Sequence, residues 1–466
     1  MALRRVRAPH FNFGALRREL KLPDGFPAAV QEEAEQSVSE PPRPPVDRTD
    51  IPFATIDPAT SLDLDQAMCL QRRSGGGYRV YYAIADVASW VRPGGAVDTE
   101  AWTRGQTVYL PDGKVPLYPK VLSEDAASLL PDRERPAVVW TTDLDADGGT
   151  VAVRVERALV RSRAKLNYER VQSDVDAGQP AEPVALLPEI GKLLIERGLA
   201  RGAINLPIPD QEVERDGNGW RLVLRAPLAV EEYNAQISLL TGVTAAKIMI
   251  DGRIGLLRTM PAPRPEAVAK LRAAAPALGV VWPHGVQVGG VIATLDPADP
   301  RKAAFLDEAI ELMRGAGYRA FAGQAPADAG HGAVAAPYSH VTAPLRRLAD
   351  RYATEVCLAL HAGAEVPEWV RQALPNLPDV MSSTDRIASA AERGAVDLVE
   401  AVLLEARVGE EFEAAVLDVD PGVVALDDPP VQARCAGDGL VAGTRVRVRL
   451  VEADPSRRKV LFHLVE

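Results

Sequence analysis

The sequence predicts an α+β protein: a twisted, mainly antiparallel sheet wrapped by helices, with a short helical segment before it and a small β-barrel after it. Three observations predict this. Strand-like patterning dominates residues 46–160, helical period dominates residues 185–406, and residues 407–466 return to short strands broken by Gly, Pro and Asp. A chain of 466 residues is too long for one ordinary core, so several domains are expected.

Residues 1–45 read as short helices followed by a linker. Phe11, Phe13, Leu16 and Leu20 give a partial apolar face, and Glu32, Glu33 and Glu35 an acidic helix end. Arg4, Arg5, Arg7, Arg17, Arg18 and Lys21 face a single acid, Glu19, so this opening is either a phosphate-touching patch or solvated surface charge. Pro41-Pro42-Arg43-Pro44-Pro45 is a stiff extended linker and sets the first boundary near 45. The domain from 46 to 405 opens with strands. Tyr78 to Val87 reads as a buried strand, and 137–144 with 150–159 as a hairpin around Asp145-Ala146-Asp147-Gly148-Gly149. Residues 185–200, 229–252, 265–278 and 303–316 have helical period. Another helix is predicted to begin near Pro344 and run towards Ala362, and a long one covers 381–406 with a Ser382 to Thr384 cap. In the last domain, 406–466, strands are predicted at 411–419, 423–426, 445–452 and 459–465, a pattern that fits an OB-type barrel.

Composition excludes several classes. The 47% hydrophobic content is that of an ordinary globular protein, and no run of about 18 apolar residues predicts a membrane span. Met1-Ala2-Leu3-Arg4-Arg5 is followed by no apolar signal core. Cys69, Cys357 and Cys435 are odd in number and widely spaced, which suits reduced thiols in a cytoplasmic protein and forms no zinc pattern. A net charge of −11 argues against indiscriminate binding to nucleic acid but leaves room for a local basic channel. Arg445, Arg447 and Arg449, alternating with valines, are a second candidate phosphate patch.

Asp57, Asp63 and Asp65 crowd into a short stretch flanked by Ile51, Phe53 and Ile56 on one side and Ala67, Met68 and Leu70 on the other. Carboxylates this close repel one another, so a folded site that gathers them needs a cation. A hard ion such as Mg²⁺, completed by substrate phosphate, fits oxygen ligands of this kind. No Asp-rich loop closing on a bidentate Glu is present, which excludes an EF-hand, and Gln66-Ala67 after Asp65 excludes a DxDx[TV] phosphatase signature.

Together with distant segments this cluster resembles the ribonuclease II/R family, the RNB-domain exoribonucleases. The matching stretches are TIDPATSLDLDQA at 55–67, IADVASWVRPGGAVDTEA at 84–101 continuing through TVYLPDGKVPLYPKVLSEDAASLLPDRERPAV at 107–138, RGAINLPIPDQEV at 201–213, SHVTAPLRRLADRYA at 339–353 and AERGAVDLVEA at 391–401. They occur in the family's order. GEEFEAAVLDV at 409–419 resembles the start of the OB-fold RNA-binding domain that follows the catalytic domain in this family. The resemblance implies a central RNA channel and Mg²⁺-dependent hydrolysis from the 3′ end to nucleoside 5′-monophosphates. Implied partners are single-stranded RNA with a free 3′ end and structured RNA bearing an overhang; a monomer with no membrane association is expected.

The same resemblance assigns roles. Asp57, Asp63 and Asp65 match acids that hold metal or position water, with Asp65 and Asp63 catalytic and Asp65 indispensable. Arg346 matches the arginine that clamps the scissile phosphate, while Arg347 takes a neighbouring phosphate or pairs with an acid. Tyr109 matches an aromatic that stacks on the 3′-terminal base, Glu392 an acid beside the terminal nucleotide, and Glu231 and Glu232 a pair near the 2′-hydroxyl. Three residues depart from the pattern. Gln66 stands where the family carries a fourth Asp; its amide oxygen is expected to serve as a weaker, uncharged metal ligand. Ala343 replaces a Ser and Leu348 an aromatic. These departures motivate a second hypothesis, a non-catalytic RNA-binding protein on a degenerate RNB scaffold. Only some 45 residues precede the domain, too few for the family's two cold-shock domains. A member without them is implied, with the basic N-terminal segment as a compact RNA-binding substitute.

Overall fold

Six strands build the central sheet, in the order Val46–Asp47, Thr150–Leu166, Phe53–Ile56, Gln66–Arg72, Tyr78–Ala85, Glu134–Leu144. The first and third run parallel to Thr150–Leu166, and the other pairings are antiparallel. Thr150–Leu166 is long enough to serve both ends of the array. Residues 150–161 pair with Glu134–Leu144, and 162–166 with Phe53–Ile56, so the sheet curls back on itself. This computed structural model describes residues 11–217 and 219–465; Arg4, Arg5 and Arg7 of the basic opening lie outside the described residues.

Local chemistry explains the strands. Tyr78, Val80, Tyr82 and Ile84 of YRVYYAIA are buried, and their β-branched and aromatic bulk suits a pleated, packed surface. The 145–149 turn is closed by its own aspartate: Asp145 Oδ1 accepts from Asp147 N at 3.0 Å and Gly149 N at 2.7 Å.

Helices wrap the sheet. Leu187–Arg201, Ala229–Asp251, Pro265–Ala274, Pro300–Ala309, Leu348–His361 and Leu377–Leu404 correspond to the predicted set. One start differs. The helix predicted from Pro344 begins only at Leu348, and 342–347 is a turn held from outside. Arg346 N and Arg347 N close one turn onto Ala343 O, but Leu348 N donates to Gly105 O, Thr107 N to Arg346 O, and Arg347 bridges Gln106, so a neighbouring segment interrupts the helix there.

A closed five-stranded barrel ends the chain, in the order Glu411–Asp418, Val423–Leu426, Gln432–Ala436, Lys459–Leu464, Arg445–Asp454. Gln432–Ala436 is a strand the sequence pattern did not offer. Its polar Gln432 and Arg434 and small Ala433 and Ala436 leave Cys435 as its buried residue. Barrel residues Phe412, Val416, Val448 and Phe462 share one core with Val399 and Leu403 of the long helix, Trp220 and Leu222 of the hairpin 210–225, and Phe13 and Leu16. From Phe13 onward the N-terminal segment is packed: Phe13 is fully buried and its ring lies 5.4 Å from that of Trp220.

Candidate active site

The parallel pairing of Phe53–Ile56 ends where Asp57 N donates to Leu166 O, and Pro58 then turns the chain into a loop. That loop is not free. Leu64 is fully buried, its N–H donates to Ser128 Oγ at 2.9 Å, and its carbonyl accepts from Leu129 N at 3.0 Å. Ser128 Oγ also donates to Leu62 O at 2.6 Å. Asp65 O accepts from Ala85 N, which locks the far end onto the sheet. The scaffold therefore fixes the acids on buried backbone.

Asp65 is 3% exposed. Its Oδ1 accepts from Leu345 N at 2.7 Å, and its Oδ2 stands 3.7 Å from Arg346 Nε. Burial pushes its carboxyl well above the ordinary range, against the opposing pull of Arg346. The Asp57 carboxyl is pushed up to about 7, chiefly by burial and partly by the charge of Asp63, with Arg346 pulling the other way. Asp63 raises both neighbours and Arg346 lowers both, so the four groups share one electrostatic site. The Arg346 side chain is about half exposed (47%), free to meet a substrate while still facing Asp65.

Arg347 behaves differently. It forms a forked pair with the fully buried Asp350, at 2.9 and 2.8 Å, and Asp350 Oδ1 also accepts from Ala343 N at 2.7 Å. Of the two roles expected for Arg347, phosphate contact and acid pairing, the structure takes the second. Its guanidinium holds the turn that presents Arg346. Ala343 and Leu348 are both fully buried in that turn, where a small and an apolar residue pack well.

Tyr109 lies on the hairpin formed by Val108–Leu110 and Gly113–Val115 and is 49% exposed, with its hydroxyl 3.5 Å from Asp63 Oδ2. Directly across the hairpin is Lys114, which sequence reasoning missed. Its Nζ lies 2.7 Å from Asp63 Oδ1 and 3.1 Å from Glu124 Oε1. Tyr168 and Asn234 were missed too. Asn234 Nδ2 donates to the Tyr168 hydroxyl at 3.2 Å, and the charges of Asp57 and Glu231 both bear on that hydroxyl. Lys114 lies within the matching stretch 107–138, but no role was read for it there; Tyr168 and Asn234 lie outside every matching stretch, and the fold brings all three to the acids.

The remaining predicted residues sit as follows. Gln66 turns its Nε2 to donate to Thr342 O, tying the acidic strand to the arginine turn. The bond uses the amide nitrogen and leaves the amide oxygen, the atom expected as a ligand, on the other side of the group. Glu231 is taken by Arg225 and by Leu228 N at the start of its helix, whereas Glu232 Oε1 accepts from Asn205 Nδ2 at 3.0 Å. Glu392 is exposed on the long helix, next to Ala391, which packs in one core with Val108 and Leu110 of the Tyr109 hairpin. Arg445 and Arg447 are exposed on the barrel, where they face Asp427 and Glu413 at 2.5 and 3.4 Å. These pairings offset the positive patch read from the sequence.

Among the described residues no group of three or more His, Cys, Asp or Glu side chains is gathered closely enough to hold a metal. Of the four expected ligands, Asp63 already faces an ammonium, and Gln66 donates from its amide nitrogen to a carbonyl. Asp57 and Asp65 nonetheless fit a hard cation. Asp57 Oδ2 is buried without a hydrogen-bond partner, and both carboxylates are desolvated. Mg²⁺ commonly takes only one or two carboxylates and completes its shell with water and phosphate.

The RNB domain family model matches residues 46–360, and the RNase II-type exonuclease C-terminal S1 domain matches residues 410–465. Ribonuclease R of Aquifex aeolicus is 26% identical, with the alignment covering 96% of this chain and 69% of that protein. Ribonuclease R of Escherichia coli is 25% identical, over 96% of this chain and 61% of the relative. The chain thus spans roughly two thirds of the length of these relatives. In fold it is similar to Mycoplasma genitalium RNase R, with a TM-score of 0.84 at 20% identity, covering 97% of this chain and 78% of that one. The same relative is known in complex with ribose-methylated single-stranded RNA. Yeast Ssd1, described as a pseudonuclease, is also similar, with a TM-score of 0.70 at 18% identity over 90% of this chain and 54% of that one. The match at 46–360 runs through the curled sheet, the acidic loop and the arginine turn, and the chain belongs to the RNB exoribonuclease family.

Proposed function

We propose that the protein is a Mg²⁺-dependent 3′→5′ exoribonuclease that releases nucleoside 5′-monophosphates from single-stranded RNA and from the overhangs of structured RNA. One observation carries the reading: a buried carboxylate, Asp65, is fixed by Leu345 N and faces the half-exposed guanidinium of Arg346 at 3.7 Å. Hydrolysis adds water oxygen to the phosphorus, breaks the bond to the 3′-oxygen of the preceding nucleotide and returns a proton to that oxygen. Negative charge grows on the phosphate as this happens. Arg346 is suited to offset it, because its planar fork matches phosphate oxygens and it is already aimed at the acids. Asp65 orients the attacking water from a rigid, water-poor position. Tyr109 offers a stacking face that tolerates any base. When bound on Asp57 and Asp65, Mg²⁺ would supply charge neutralisation at the phosphate and acidify the attacking water.

The test is a 5′-labelled single-stranded RNA incubated with Mg²⁺ and either the intact protein or Asp65→Asn. The expected products are a ladder shortened from the 3′ end together with nucleoside 5′-monophosphates. Asp65→Asn is expected to slow release about a thousandfold while RNA binding persists, since an amide oxygen still accepts from Leu345 N. Internal fragments would contradict the exonuclease reading. A second reading, RNA binding without catalysis, is favoured by the commitment of Gln66 to Thr342 O, where the family carries an acid. RNA binding with no Mg²⁺-stimulated release would support it.

A further inference from the structure

We propose that Lys114 acts as a built-in cation at Asp63, taking the place of a second metal ion, so that the site holds one divalent ion, on Asp57 and Asp65. The inference rests on the Mg²⁺-dependent reading above and specifies its metal count.

Lys114 is not an ordinary surface lysine. Its side chain is 20% exposed, and the two carboxylates it meets, Asp63 and Glu124, are 12% and 14% exposed. The hairpin that carries it is pinned on both sides. Val108, Leu110 and Val115 are buried, Gly113 adopts a φ of 144° that favours glycine, and Asp112 at the turn is held by Arg17 at 2.5 Å. Glu124 lies in the turn Leu122–Ala126, where Leu122, Ser123 and Ala126 are buried. The ammonium thus sits between two fixed acids from two separate elements.

Asp63 has little left to offer a metal. Its Oδ1 is in contact with the ammonium, and its Oδ2 is approached by the Tyr109 hydroxyl. A divalent ion on the same carboxylate would lie within a few ångströms of the ammonium, and the two cations would repel in a poorly solvated site. Gln66 adds no charge to draw a second ion in, and its amide nitrogen is held by Thr342 O. Asp57 and Asp65 remain, one of them with an orphaned buried oxygen. An ammonium has three donors. Asp63 and Glu124 use two, which leaves one for a phosphate oxygen of a nucleotide whose base rests on Tyr109, the cross-strand neighbour of Lys114.

The experiment counts ions directly. Mn²⁺ is titrated into the intact chain, Lys114→Met and Lys114→Arg, each with adenosine 5′-monophosphate as the phosphate-bearing probe, and bound Mn²⁺ is read by electron paramagnetic resonance. The intact protein and Lys114→Arg are expected to bind one ion per chain. Lys114→Met is expected to take up a second, or to bind the first about tenfold more tightly. Two ions in the intact chain would overturn the role of Lys114 and leave the hydrolase reading standing, as would one ion at unchanged affinity in Lys114→Met. No bound Mn²⁺ in any of the three would overturn both. Thermal unfolding of each variant separates loss of fold from loss of the charge, and a misfolded Lys114→Met leaves the count on the intact chain to decide between one ion and two.

Discussion

Asp65 and Arg346 come from distant parts of the chain and meet because each is anchored by backbone. Leu345 N reaches the carboxylate while Arg346, one residue on, faces the same group. A guanidinium placed this way does more than carry charge, since its two parallel donors match two phosphate oxygens. Arg346→Lys is therefore expected to lower kcat about a hundredfold with a smaller change in KM, measured on a short single-stranded RNA. An equal fall in substrate affinity would instead mark Arg346 as a binding residue. Tyr109 belongs to the opposite class. Its hydroxyl only grazes Asp63 at 3.5 Å, and its ring is half exposed. Tyr109→Ala is expected to lose about 1–3 kcal/mol of stacking, chiefly as a raised KM, whereas Tyr109→Phe is expected to stay near the intact protein. A Phe variant as weak as the Ala variant would show that the hydroxyl, not the ring, carries the contact.

Among the elements, the long helix Leu377–Leu404 joins the catalytic domain to the barrel, and Glu400 is its buried link. Glu400 is 3% exposed, and its Oε1 accepts from Gln432 N of the barrel at 2.9 Å and from Gln211 Nε2 of the hairpin 210–225 at 2.7 Å. Burial pushes its carboxyl up to about 7. The folded protein thus holds this proton more tightly than the unfolded chain does. The stability contributed is full below about pH 4.5 and is lost as the pH rises through about 7. Glu400→Gln is expected to flatten the fall in thermal midpoint between about pH 5 and 8 and to gain about 1–3 kcal/mol over the intact protein at the upper end. Parallel pH curves for the two proteins would refute the link. Reading the sequence alone located this helix, the strand Tyr78–Ala85 and the turn at Asp145, because periodicity and turn chemistry are local signals. The barrel strand Gln432–Ala436 carried no such signal, being polar and small. The start of Leu348–His361 was misplaced because Pro344 reads as a helix opening, while the backbone after it is claimed by residues 105–107. Asp57, Asp63, Asp65 and Arg346 were legible through ordered motifs. Lys114 and Tyr168 were not, since only folding brings them to the acids.

For the molecule as a whole, residues 11–40 of the N-terminal segment act as a strap. Arg17 holds Asp112 on the Tyr109 hairpin, and Glu19 makes a forked pair with Arg458 of the barrel at 2.7 and 2.8 Å. Further along, both oxygens of Glu33 accept from the first amides of the helix Ala96–Arg104, at 2.8 Å from Ala96 N and 3.3 Å from Val97 N. These charged contacts orient the segment, but its apolar residues supply most of the stability. Phe13, Leu16, Val30 and Ala34 are all nearly or fully buried, in two separate cores. Truncating a single buried Phe or Leu typically costs about 2–5 kcal/mol, against a total stability of roughly 5–15 kcal/mol for a domain. Deleting residues 1–45 removes two such anchors, Phe13 and Leu16, together with Val30 and Ala34, and exposes Trp220 besides. The truncated protein is therefore expected to unfold or aggregate, seen as loss of a cooperative thermal transition by circular dichroism and a shift to the void volume in size-exclusion chromatography. A monodisperse, cooperatively folding truncation would refute the strap, and weakened RNA binding in it would point to the segment as an RNA-binding element.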